Sequence, residues 1–300
     1  MDIRQLNHFV GVASHGSFTK AARGLNISQP ALTRSVHLLE DALGVALFDR
    51  TPQGVELTKH GDTLYRHATL ILNSVQTAKK EIQATKDGGW GEVRVGIASL
   101  FSNFLVDQAV SNAARYNLSF QASVKVGLFE DMAAQLDEGS IDMIVTTRDE
   151  TIDLRQINFE DLCETSSVLV AGAANPIVRK KFVKLEQLAD EPWVVLNHPL
   201  MESFLVTYFA QSGLSTPANR VRTSSLNMLR SLIRQQYFIG FLPTHWIKDD
   251  LKSGVLSVVK APNMPFISTA GIATRQSALL NKSAQLLVDK LRAAASVLGS

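Results

Sequence analysis

Three hundred residues exceed one minimal domain and point to about two. A chain that is 45% hydrophobic and 19% charged has ample material for a core, and its single cysteine, Cys163, excludes both an intrachain disulfide framework and an oxidant sensor working through an internal disulfide. The formal net charge of +2 identifies no nucleic-acid partner by itself.

The opening MDIRQLNHFVGVASHGSF has no basic segment followed by an apolar one, so no secretory signal is expected. No run approaches the roughly 18–20 apolar residues of a membrane span, and a cytoplasmic protein with no membrane partner is expected. Residues 1–87 hold 10 Lys and Arg against 8 Asp and Glu, while residues 88–300 hold 20 of each. Five of the seven histidines also fall in the first part.

In chain order, Leu6, Phe9, Val10 and Ala13 recur at helical spacing, and His15-Gly16 closes that helix. Ser17 is placed to cap a second helix with Phe18, Ala21, Ala22 and Leu25 inside. Asn26-Ile27 makes the turn to a third helix, capped by Ser28 and carrying Pro30 in its first turn, where a missing N–H costs nothing. Leu32, Val36, Leu39 and Leu43 form its inner stripe. Gln29, Thr33, Arg34 and His37 occupy the opposite side, with Ala31 beside them. Two short helices joined by a tight turn, the second exposing such a face near its N-terminus, fit the major groove of double-stranded DNA: Arg pairs with guanine, Gln with adenine, and the Ala or Thr methyl meets a thymine methyl. Gly44 ends the helix, and Val45–Phe48 with Val55–Leu57 around Pro52-Gln53-Gly54 predict a β-hairpin wing carrying Arg50.

From about Thr58 to Lys86 a long helix is predicted, with Leu64, Ala68, Ile71, Val75, Ala78 and Ile82 in a heptad stripe widened by Tyr65 and Leu72. Periodicity alone fits a dimer seam and a stripe packed on its own domain equally well. Three glycines within Gly88-Gly89-Trp90-Gly91 then mark a hinge. Beyond it, strand runs alternate with helical runs: Val93–Ile97, Phe120–Val126, Ile141–Thr147, Val168–Ala171, Trp193–Leu196, Arg220–Thr223, Phe238–Leu242 and Phe266–Thr274. An α/β fold with helices on both faces of a parallel or mixed sheet follows.

The stretch Ser17–Thr51 strongly resembles the DNA-binding segment of LysR-type transcriptional regulators: the Ala-Ala pair, Ser-Gln-Pro-Ala-Leu-Thr-Arg, Leu39-Glu40 and Leu-Phe-x-Arg from Leu47 to Arg50. Leu57-Thr58 with Gly61 continues it. More thinly, Gly139-Ser-Ile-Asp142, Gly240-Phe-Leu-Pro243 and Asn175-Pro176 look like family landmarks in the rest of the chain. The departures are Asn103 and Tyr116-Asn117, where the family often has proline, and Phe238 beside Tyr237, where it usually has glycine.

The resemblance implies a winged helix-turn-helix over residues 1–58, a dimerisation helix over 59–87, and an effector-binding domain over 88–300. The last is expected to be a periplasmic-binding-protein-like (type II) pair of subdomains, 91–161 with 268–300, and 162–267. It implies DNA contacts by Ser17, Ser28, Gln29, Pro30, Ala31, Thr33, Arg34, His37 and Arg50, and settles the heptad stripe as a dimer seam. It further implies a dimer of dimers on an inverted-repeat promoter site, with RNA polymerase as a further partner. Ligands of such folds sit beyond the carboxyl ends of strands, near helix N-termini. That places a small organic acid effector against Ser99, Leu100, Ser102, Gly127, Leu128 and Thr146, with Asn197, His198, Thr223 and Phe241 across the cleft and Ser224 more plainly a turn residue.

No Gly-x-Ser-x-Gly elbow, Walker loop, His-Glu-x-x-His or Cys/His metal spacing occurs in the sequence, and no catalytic residue, cofactor or metal is expected. The adjacent carboxylates Glu130-Asp131 and Asp249-Asp250 read as helix-end positions. An enzyme and a solute-binding protein are the competing readings; the missing catalytic motifs disfavour the first, and the expected lack of an export signal with the N-terminal 87 residues disfavours the second.

Overall fold

The computed structural model describes residues 1–52, 54–86, 88–98, 103–148, 157–197, 199–262, 266–276 and 278–298; of Arg50, Asn103, Pro199, Leu200, Phe266 and Leu298 it describes the backbone. Helix α1 (Ile3–His15) starts from a reciprocal cap: Asp2 Oδ1 accepts from Gln5 N, and Gln5 Oε1 accepts from Asp2 N. Gly16 and Gly44, at φ +60° and +70°, end α1 and α3 (Gln29–Leu43) in the left-handed region that glycine enters without a Cβ penalty. Ser17 caps α2 (Phe18–Gly24) by accepting from Lys20 N. Ser28 holds the extended backbone of a cap before α3 (Gln29–Leu43), but its side chain makes no cap hydrogen bond, unlike the expectation.

Strand β1 (Phe48–Thr51) pairs with β2 (Gly54–Leu57), from Phe48 opposite Leu57 to Thr51 opposite Gly54. The wing therefore begins later than Val45. The preceding peptide is used otherwise: Leu47 N donates to Glu40 Oε1 at 2.8 Å and Leu47 O accepts from Thr58 N. Leu6, Phe9, Leu39, Leu47 and Ala68 form one buried cluster, and Val12, Ala21, Ala22, Leu32 and Val36 another. The Phe48 ring lies between them, 5.3 Å from Phe9 and 5.8 Å from Phe18. Leu43, expected inside, is 40% exposed.

Helix α4 (Lys59–Lys86) leaves from Thr58, whose Oγ1 accepts from Gly61 N. It leads to a sheet in the order β4-β3-β5-β11-β6-β9-β7-β8, with β10 (Leu256–Val258) also on β6. In the first lobe, β3 (Glu92–Ile97) runs parallel to β4 (Gln121–Val126) and β5 (Met143–Thr147). Helices α5 (Asn103–Tyr116) and α11 (Lys282–Leu298) cover one face, and α6 (Phe129–Asp137) the other. In the second, β7 (Trp193–Leu196) is parallel to β8 (Arg220–Thr223) and β9 (Ile239–Pro243), with α7 (Leu185–Ala189), α8 (Pro199–Ala210), α9 (Leu226–Arg234) and α10 (Lys248–Lys252) around them. Two long antiparallel strands join the lobes. β6 (Ile157–Gly172) pairs with β9 through Ser167–Ala171, while β11 (Phe266–Arg275) pairs with β5 through Ala270–Ala273. Phe238 packs against the second core, and the turn before β9 is made by Gln236 at φ +71°.

Trp193 anchors that second core: it is fully buried, donates Nε1–H to Leu188 O at 2.7 Å, and meets Phe209 and Phe241 ring to ring. Trp193→Ala is expected to cost about 3–5 kcal/mol by calorimetry, since it leaves a large cavity and an unpaired carbonyl. The exposed Leu43→Ala should stay within about 0.5 kcal/mol.

Candidate functional site

The first turns of α3 put Ser28, Gln29, Pro30, Ala31, Arg34 and His37 at the surface, with Thr33 half-buried. A groove of about 390 Å³ runs between this helix and the wing, and Ser17, Gln29, Thr33 and His37 line it with Thr51 and Gly54. His37 Nδ1 stands 3.2 Å from Glu40 Oε2, and the same carboxylate holds Leu47 N. Glu40 thus fixes both the recognition face and the root of the wing. Arg50 lies on β1 opposite Val55, at the wing's edge of the groove, and its side chain is outside the described residues. Thr51 was missed in the sequence. Its Oγ1 and that of Thr33 are buried without a hydrogen-bond partner among the described residues.

The heptad stripe divides in two. Ala68 is fully buried, and Leu64, Tyr65 and Leu72 pack with it against the winged-helix core, so Leu64 and Ala68 are spent within the chain. Ile71 and Ile82 remain 37% and 61% exposed; Ala78 is exposed and Val75 half-buried.

Of the expected effector residues, Ser99, Leu100, Ser102 and His198 lie outside the described residues. Gly127, Leu128 and Asn197 come together in a cleft of about 290 Å³, with Ile97, Ala98, Val126 and Ser224. Apolar side chains stand exposed here, Val126 at 61% and Leu128 at 47%. Asn197 Oδ1 accepts from Arg222 Nη2 at 2.8 Å, and Arg222 is in turn tied to Glu202 of α8. Three expectations are corrected. Phe241 is a core residue, against Trp193 and Phe204. Thr146 is buried inside β5. Thr223 Oγ1 accepts from Ser225 N, which shapes the turn into α9.

A second cavity, of about 510 Å³, shares Ser224 with the first. Its walls are Phe104 and Asp107 of α5, Ser225, Leu226 and Asn227 at the start of α9, and Pro243, His245 and Trp246. The Phe104 and His245 rings meet at a tilt of 44° with centroids 4.9 Å apart, and burial holds the His245 imidazole below the usual histidine range, assisted by the Lys248 charge. Nothing in the local sequence spacing signalled this cavity.

The adjacent carboxylates do not form a catalytic pair. Asp250 is buried against Arg230, 2.6 Å away, whose guanidinium is raised by that hydrogen bond; Glu130 and Asp131 are exposed in the first turn of α6. Cys163 lies half-buried on β6, where burial pushes its thiol up, opposite to what a reactive cysteine needs. Among the described residues no group of three His, Cys, Asp or Glu could hold a metal ion, and no helix is long and apolar enough to cross a membrane.

Residues 3–62 match the family described as bacterial regulatory helix-turn-helix protein, lysR family, and residues 86–296 match the LysR substrate binding domain. The chain belongs to the LysR family. It is a LysR-type DNA-binding transcriptional regulator and not an enzyme. It is 26% identical over 290 residues to the SDS degradation transcriptional activation protein of Pseudomonas sp. (strain ATCC 19151), covering 95% of this chain and 94% of that one. Among solved structures, ArgP from Mycobacterium tuberculosis superposes with a TM-score of 0.74 at 19% identity, over 99% of this chain and 98% of that one. Full-length CbnR complexed with its target DNA gives 0.65 at 18% identity, over 98% and 100%. At such identities these two LysR structures speak for the fold.

Proposed function

We propose that residues 1–58 of this LysR-type regulator read an inverted-repeat promoter site, that 59–87 pair two chains, and that 88–300 take a small organic acid which switches the assembly. In this reading the effector lies between the lobes 91–161 with 268–300 and 162–267. The observation that carries the switch is helix α6, because its two ends touch the two things that must be coupled. Its N-terminus opens into the cleft at Gly127 and Leu128, with no side-chain cap on its first N–H groups. Its C-terminal end holds the linker: Glu138 O accepts from Asn73 Nδ2 of α4 at 2.7 Å. Gly139, at φ +71°, has Leu70 Cδ1 only 3.0 Å from where a Cβ would lie. A nine-residue helix is a rod of about 13 Å, so a guest seated against its N-terminus displaces a rigid body whose other end bears on α4. Uncapped N–H groups favour an acid, and the apolar wall of Ile97, Val126 and Leu128 suits its carbon skeleton. The CbnR neighbour, solved with its target DNA, supports the DNA half of the reading.

Gel shifts with the regulator's own promoter region and a panel of small carboxylic acids test this. The protein should retard the fragment, and one or more acids should alter its affinity or footprint. Asn73→Ala should keep operator affinity within about fivefold, because a part-buried hydrogen bond contributes about 1 kcal/mol, while the acid response is blunted. No retardation of promoter fragments would refute the DNA reading; an undiminished acid response in Asn73→Ala would refute the α6 coupling.

A further inference from the structure

We propose that the second cavity, between α5 and the 243–246 turn, is a separate small-molecule site for a primary ammonium compound with an apolar or aromatic body. Its about 510 Å³ lies within the range of ordinary ligand sites. The lining specifies the guest. Asp107 is an exposed carboxylate on the wall and has no ion-pair partner among the described residues, whereas Asp250, beyond the turn on the second lobe, is already held by Arg230, and Lys248, which acts on His245, is not among the residues that line the cavity. Among the described residues no lysine or arginine lines the cavity. His245 adds no competing positive charge at neutral pH, since burial and Lys248 both hold it in the neutral form.

The remaining surface suits the body of such a molecule. Phe104, His245 and Trp246 supply rings from both lobes, and a ring face attracts an ammonium as well as apolar carbon. Trp246 already shows this behaviour toward a cation, with the Arg230 guanidinium 5.4 Å from its ring centre. Ser224, Ser225 and Asn227 offer hydroxyl and amide groups to any further polar end of the guest. Among the described residues the first cleft, at Gly127 and Leu128, has no carboxylate in its lining, so the described walls of the two cavities favour opposite charges although Ser224 borders both. Because Asp107 comes from the first lobe and His245 and Trp246 from the second, a guest here ties the lobes together on the side where Phe104 and His245 already touch.

This proposal does not depend on the acid effector or on the α6 coupling. The test is titration calorimetry of the full-length protein with three probes of matched body: 2-phenylethylamine, L-phenylalanine and 3-phenylpropionate. Both amines should bind with a Kd of about 1 mM or tighter, and Asp107→Asn should weaken both about tenfold or more, as loss of a charge-assisted contact does. Binding of 3-phenylpropionate, where detected, should not weaken in Asp107→Asn. Asp107 is exposed, so its replacement by a near-isostere should preserve the fold, which an unchanged thermal melt would confirm. Failure of both amines to bind at about 10 mM, or amine binding undiminished in a folded Asp107→Asn, overturns the proposal.

Discussion

Ile71→Asp combined with Ile82→Asp is expected to give a folded monomer that binds its promoter at least about 100-fold more weakly than the parent. Both side chains are large, apolar and exposed on α4, about three turns apart along the outer part of the stripe. Charges there cost nothing within the isolated chain but cannot be buried at a seam. Pairing makes the second recognition helix an intramolecular ligand for the second half-site, and such linkage multiplies affinity by roughly 10² to 10⁴. Sedimentation velocity and gel shifts on one preparation would read both effects. A double variant that still sediments as a dimer would remove α4 from the interface. Ala68→Asp is the instructive contrast: it places a charge in the winged-helix core and should unfold that domain, so loss of DNA binding there would say nothing about pairing.

That contrast also shows how far the sequence could be read. The stripe from Leu64 to Ile82 has one period throughout, yet its first half packs on the winged-helix core while its second half leaves Ile71, Ala78 and Ile82 exposed. Periodicity records that a face is apolar and is silent on what covers it. The winged helix was largely legible because its signals are local. Asp2, Ser17, Gly16 and Gly44 act within a turn of where they stand. Leu43 was misplaced because it falls on the last turn of α3, where the helix has already run past its neighbours.

The sheet was legible where alternation is strict, as in β3, and obscure in β6. That strand was visible only as Val168–Ala171 because its first half, crossing between lobes, exposes Asn158, Glu160, Asp161 and Glu164. Of the residues expected beyond strand ends, Gly127, Leu128 and Asn197 line a common cleft, whereas Phe241 and Thr146 lie inside strands. Phe241 lies inside β9, and its ring faces Trp193 and Phe204 of the core rather than the cleft, a choice of side that the all-apolar run Ile239–Leu242 does not encode. The second cavity was beyond reach for a different reason. Phe104 and His245 are brought together only by the crossing of β6 and β11, and no local pattern encodes that meeting.

Arg34→Lys should separate the two ways in which α3 can hold DNA. Arg34 is exposed on the early turns of the helix beside Gln29 and Ala31, where the N-terminal residues of a recognition helix reach base edges. A guanidinium pairs in two places with guanine, and each such pair discriminates against the wrong base by about 1–3 kcal/mol. Two half-sites double this to about 2–6 kcal/mol, or roughly 30-fold to 10⁴-fold in affinity for a cognate operator. Lysine keeps the charge but cannot make the paired contact. The variant should therefore lose base preference at one position of each half-site while the dependence of binding on salt stays nearly unchanged. Arg34→Ala should lose the same preference. A backbone contact would behave in the opposite manner: Ala would lower the salt slope by about 1 per contact, and Lys would restore both affinity and slope. Selection of operators from a randomised pool with each variant, followed by salt titration, decides between them. Unaltered base preference in Arg34→Lys would move sequence reading to Gln29 and the wing.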